Sequence, residues 1–63
     1  MTALLFEARL VNQTGAVEVQ FARVIYGVDS PEEKEKTFRA ICRSRYPQLR
    51  ILEPISVSPA TLQ

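Results

Sequence analysis

SPEEKEKTFRAICRSRYP, residues 30–47, carries the signals of one helix that both starts and stops within it. Ser30 offers a hydroxyl that can accept from an orphan backbone N–H of the first turn. Pro31 fits the first helical position, where its missing N–H costs nothing. Glu33, three residues after Ser30, completes a capping box. Asp29, Glu32, Glu33 and Glu35 crowd the start, and Arg39, Arg43 and Arg45 the end, which complements the helix macrodipole. Pro47 disfavours helical geometry at Tyr46, so the helix is predicted to end near Arg45.

At about 3.6 residues per turn, Phe38, Ile41 and Cys42 share one narrow apolar face. Lys34 and Arg45 extend that face, with stems expected along a sheet and charges in water. Glu32–Lys36 and Glu35–Arg39 are i,i+4 pairs in the favourable order, each contributing ~0.3 kcal/mol. A stripe this narrow needs a sheet to cover, and the flanking segments supply one.

Upstream, ALLFEARLV (3–11) sets Leu4, Phe6, Ala8 and Leu10 on one face and Leu5, Glu7, Arg9 and Val11 on the other. Residues 12–15, NQTG, read as a four-residue turn, and AVEVQFARVIY (16–26) as a second strand. A loop of that length sets Val11 opposite Ala16, Leu10 opposite Val17, Ala8 opposite Val19 and Phe6 opposite Phe21. Arg9 then meets Glu18 on the other face. Arg23 falls opposite Leu4 on the apolar side. It is expected to emerge at the sheet end, with a bulge near Ala22 as the alternative, because an unpaired buried charge would be costly.

Downstream, QLRILEPISV (48–57) reads as a third strand whose Pro54 demands an edge or a bend. The β-β-α-β order predicts a small α+β domain. Its three-stranded, mainly antiparallel sheet takes the order 2-1-3, with one helix packed on one face and a right-handed crossover. Order 1-2-3 with a parallel last pair is the alternative. Residues 1–57 form the single domain and residues 58–63 a flexible C-terminal tail.

A chain of 63 residues buries only about 60% of its unfolded surface. One cysteine and no histidine exclude an internal disulfide and fall far short of a zinc ligand set, so no metal or cofactor is expected. Without histidine, acid–base chemistry would fall to carboxylates, lysine or tyrosine. No such group stands in a catalytic arrangement, and no small-molecule substrate suggests itself. Net charge is +1 and favours no partner class. A lone Cys42 on an apolar face suits a reducing cytosol. MTALLFEAR lacks the basic start of a signal peptide, and no apolar run approaches ~18 residues. A cytoplasmic protein without membrane contact is therefore expected.

Two surfaces are candidates for binding. The sheet face away from the helix turns apolar towards Ala3, Leu5, Ala22, Val24 and Tyr26, with Leu52 as a further member. Scattered surface apolars are ordinary, but a contiguous cluster marks an interface. Leu5, Ala22, Val24 and Tyr26 are the candidate protein-interface residues. Because so small a scaffold usually needs a staple, the simplest arrangement is a homodimer with two sheets packed face to face about a two-fold axis. The second surface is basic: Arg39, Arg43, Arg45 and Arg50, with no acid from residue 39 to 50. Their planar forks suit phosphate, and they are the candidate nucleic-acid contacts. Only Tyr26 and Tyr46 could stack on bases, and no nucleic-acid-binding motif is present. The expected function is thus a small cytosolic protein-interaction module, an accessory factor or inhibitor acting without catalysis. A nucleic-acid-binding accessory protein using the arginine cluster is the alternative.

Overall fold

The structure, a computed structural model, describes residues 3–60. The strands β1 (Ala3–Val11) and β2 (Val17–Tyr26) precede the helix α1 (Pro31–Arg45), and β3 (Arg50–Pro59) follows it. The sheet order is β2-β1-β3, with both pairings antiparallel. This is the α+β arrangement the sequence predicts.

β1 is central, and its alternation builds the core. Phe6, Ala8 and Leu10 from β1 are buried with Phe38 and Cys42 from α1; Val19, Phe21, Ile25, Ile51 and Ile55 pack around them. Phe38, with no exposed surface, stacks on Phe6 at 5.4 Å and on Phe21 at 5.7 Å between ring centroids. Tyr46 meets Phe21 edge-on at 5.9 Å. Burying one such ring stabilises by ~1.5–3 kcal/mol, and each well-placed aromatic pair adds ~0.5–1.5 kcal/mol. These rings fasten the helix to the first two strands.

Both helix ends follow from the sequence. Ser30 is the N-cap, with φ −64° and ψ 161°, and its Oγ accepts from the Glu33 N–H at 3.2 Å. The Tyr46 N–H donates to the Cys42 carbonyl at 2.9 Å, and the chain then leaves the helix before Pro47. Lys34 departs from expectation. It is buried at 2% exposure rather than reaching water, and its Nζ donates to the Asp29 carbonyl just ahead of the helix. Arg45 is exposed, with its guanidinium 5.8 Å from the centroid of Phe21.

The hairpin register differs from the one read off the sequence by two residues. Leu10 stands opposite Val19, Ala8 opposite Phe21, Phe6 opposite Arg23 and Leu4 opposite Ile25. The cause is Asn12. Its Oδ1 accepts from the Thr14 N–H at 2.9 Å, the Thr14 hydroxyl at 2.6 Å and the Ala16 N–H at 3.1 Å. The Asn12 N–H also donates to the Ala16 carbonyl at 3.0 Å, so the loop takes in Ala16. A bulge beside the Leu10/Val11 step absorbs Glu18 as the second extra residue. A shift of two keeps every side chain on its own face. The burial pattern therefore survives while the predicted partners do not. Arg23, opposite Phe6, is exposed on an edge strand, and the bulge lies at Glu18 rather than near Ala22.

β3 is longer than its prolines suggest. Its register against β1 shifts between Glu7 and Arg9, so Glu53, Pro54 and Ile55 together face Ala8. Pro54 falls in this bulge, on an edge strand, where its missing N–H breaks no ladder bond. Pairing then resumes to Leu4–Pro59, and the Ala60 N–H donates to the Ala3 carbonyl at 3.1 Å. Ser58 and Pro59 belong to β3 rather than to a tail, and Ala60 is held beside it by that bond. The rest of the predicted tail, residues 61–63, lies outside the described residues.

Candidate functional site

α1 packs on one face of the sheet, and no other described element covers the opposite face, although Ala3 and Val11 at its two ends are buried. On that outer face β1 contributes Ala3, Leu5, Glu7, Arg9 and Val11, and β2 contributes Gln20, Ala22, Val24 and Tyr26. Leu5 stands directly opposite Val24, Ala3 opposite Tyr26 and Glu7 opposite Ala22. Leu5 and Val24 are half-buried, Ala22 is exposed, and Tyr26 keeps 53% of its surface in water. The four residues Leu5, Ala22, Val24 and Tyr26 are therefore contiguous, at the end of the sheet where β2 leaves for the helix. Leu52 stands opposite Arg9, at the other end, and does not join them. Between the two ends lies a depression of about 390 Å³ bordered by Glu7, Arg9, Gln20, Ala22, Pro54 and Ser56. The outer face is thus apolar at one end and polar at its centre.

The arginines divide. Arg39, Arg43 and Arg50 border one cleft of about 250 Å³ between α1 and β3, with Cys42 and Leu10 among its walls. Arg45 is apart from them, over Phe21. Arg39 is fully engaged. Its Nε bonds Glu35 at 3.0 Å, and Nη1 and Nη2 bond the two oxygens of Glu53 at 2.8 and 3.1 Å. This fork-to-fork contact holds the Glu53 carboxyl below its usual range and pushes the Arg39 guanidinium still higher. Arg43, Arg45 and Arg50 are exposed and form no ion pair among the described residues.

Cys42 is a buried free thiol. Burial pushes its pKa up, and the nearby charge of Arg39 only partly opposes that. A protonated, enclosed thiol is a packing residue rather than a nucleophile. Among the described residues no three His, Cys, Asp or Glu side chains gather closely enough to hold a metal ion. No described helix is long and apolar enough to cross a membrane.

Two participants escaped the sequence reading. Glu53 lies fourteen positions from Arg39, beyond any helical spacing rule. Lys34 carried a signal, since it falls on the Phe38–Cys42 face, but its terminal nitrogen finds a backbone carbonyl instead of solvent.

No protein-family model matches the chain, and no curated protein or solved structure matches it.

Proposed function

We propose that this protein is a small cytoplasmic interaction module, an accessory factor or inhibitor that acts by binding another protein rather than by catalysis. One observation carries this reading: the only described helix packs on the far side of the sheet, and Leu5, Ala22, Val24 and Tyr26 form one contiguous cluster on the face it does not cover. Apolar clusters rimmed by polar groups are typical of protein contacts. Here Glu7, Arg9 and Gln20 supply the rim on one side. Tyr26 suits such a site, since its ring can be buried while its hydroxyl stays wet.

The nucleic-acid alternative is weakened by the commitment of Arg39 to two carboxylates. Three exposed arginines remain for phosphate, and Arg45 shares its position with Phe21.

Affinity capture from the source cell, with and without nuclease, tests the reading. Wild type is expected to recover protein that survives nuclease. Leu5→Glu, on the central strand and away from both sheet edges, is expected to lose that protein while keeping its circular dichroism spectrum. Recovery that disappears with nuclease and with Arg43→Glu/Arg50→Glu would transfer the function to the arginines.

A further inference from the structure

The hydrogen-bond phase of the sheet fixes which backbone groups are unpaired at its edges. Ala60 donates to Ala3, the residue opposite it in the Leu4–Pro59 register. A direct bond between opposed residues marks a hydrogen-bonded antiparallel pair, and such pairs alternate. Leu5 and Glu7 therefore turn their backbone groups towards β3, and Leu4, Phe6, Ala8 and Leu10 turn theirs towards β2. The bond from Asn12 to Ala16 gives the same phase independently. On β2, Val19, Phe21, Arg23 and Ile25 are consequently satisfied by β1. Gln20, Ala22, Val24 and Tyr26 aim their N–H and C=O groups outwards, along an edge that no other described strand pairs with.

The two edges of the sheet are not equivalent. β3 carries Pro54 in its bulge and Pro59 at an outward-facing position, and neither can donate. That edge is blunted in the way edge strands usually are. β2 has no proline, no glycine and no lysine over ten residues, and past the Glu18 bulge its pairing is regular. A row of unpaired donors and acceptors of this length is a template for another strand.

We infer that the occupant is a second copy of this chain, joined β2 to β2 about a two-fold axis at Ala22, so that two three-stranded sheets form one six-stranded sheet. In this register no two like charges stand opposite each other. On the outer face Ala22 meets its own copy, Gln20 meets the partner's Val24 and Glu18 meets the partner's Tyr26. On the helix face Val19 meets the partner's Ile25 and Phe21 meets the partner's Arg23. Arg23, stranded on the apolar side of its own subunit, thereby gains an aromatic neighbour. Moving the axis one residue on, to Arg23, would set the two Arg23 side chains against each other, which is destabilising. Face-to-face packing of the two sheets would instead enclose the depression lined by Glu7, Arg9 and Gln20. The edge arrangement leaves that polar centre in water.

The inference goes beyond the interaction reading and fails separately from it. A monomer that still captures a protein partner sinks the dimer alone, and a dimer that captures none sinks the partner alone. Sedimentation equilibrium of the pure protein at micromolar concentration is expected to give twice the 7.1 kDa chain mass. Ala22→Pro removes an outward N–H and leaves the β1–β2 ladder intact, so it is expected to give a folded monomer. Ala22→Cys sets two thiols about the axis with Cα atoms about 5.5 Å apart, inside the roughly 4.4–6.8 Å range of disulfides. Mild oxidation is expected to yield a Cys–Cys dimer, with Cys42 too buried to compete, whereas Val57→Cys on the β3 edge is expected to give no cross-link within the dimer. A wild-type monomer, a dimer that survives Ala22→Pro, or a dimer that Ala22→Cys fails to trap would each overturn the inference. If Ala22→Pro does not fold, the cross-link alone decides.

Discussion

Arg39 grips both carboxylate oxygens of Glu53, and among the described residues this is the one side-chain hydrogen-bonded link between α1 and β3. The aromatic contacts of Phe38 run to β1 and β2. Beside the packing of Ile51 and Ile55 on the core, the third strand is therefore tied to the helix by an ion pair, whereas the other two are tied by rings.

The tie makes a pH prediction. Arg39 lowers the Glu53 pKa in the folded state, so folding favours the carboxylate. Its contribution is complete above the ordinary glutamate value of about 4.3 and disappears as pH falls through the lowered folded value. Glu53→Gln is expected to lower the urea midpoint slightly at neutral pH, as for other exposed pairs, and to match wild type in strong acid. A midpoint difference that persists in acid would show that the pair is not its source.

The N-cap is open to a simpler test. Ser30→Ala removes the acceptor for the Glu33 N–H and is expected to cost about 1 kcal/mol. In a domain of this size that lowers Tm by roughly 4–8 °C. An unchanged melt would mean that another group, Asp29 being the nearest, takes over the cap.

Lys34 separates packing from charge. Its stem is buried, while its ammonium donates to the carbonyl of Asp29, an exposed residue. Lys34→Met keeps the stem and is expected to change stability by under about 1 kcal/mol. Lys34→Ala empties the space and is expected to cost about 2 kcal/mol or more. Equal losses in the two variants, measured by urea unfolding, would assign the effect to the hydrogen bond instead.

Cys42 gives the alkaline counterpart. Burial raises its folded pKa above the ordinary 9.0. The stability linked to the protonated thiol is complete below that value and is lost as pH rises through the raised one. Cys42→Ala should therefore flatten the alkaline fall in Tm. Native Cys42 should react with a chromogenic disulfide reagent only as fast as the protein opens; a rate equal to that of the unfolded chain would show that the thiol is accessible.

These residues also show where the sequence was legible. The helix could be bounded because Ser30, Pro31, Glu33 and Pro47 act within a few residues of the backbone they control. Strand order followed from the β-β-α-β succession, in which the third strand returns most economically beside the first. The register did not follow, because loop length depends on what Asn12 bonds, and its side chain could close the turn at Gly15 or at Ala16. The reach of β3 past Pro54 was hidden for a similar reason, since a proline in a bulge resembles a strand end. On the outer face, alternation alone brought Leu5, Ala22, Val24 and Tyr26 together. The basic group was harder to read, because the partner that removes Arg39 from it arrives from a distant strand.

The bond from Ala60 to Ala3 has a mechanical consequence. β1 and β3 run antiparallel, so the start of one and the finish of the other meet at the same corner of the sheet. A force applied between residues 3 and 60 loads the pairs in sequence, beginning with this one, and peels the strands apart like a zipper. It never loads the ladder in shear, where many bonds would share the strain. The strand released first is β3, an edge strand held in the sheet by that one seam, while β1 keeps its ladder to β2. Stretched from its ends, this domain should extend at low force, however firmly Phe38 resists heat.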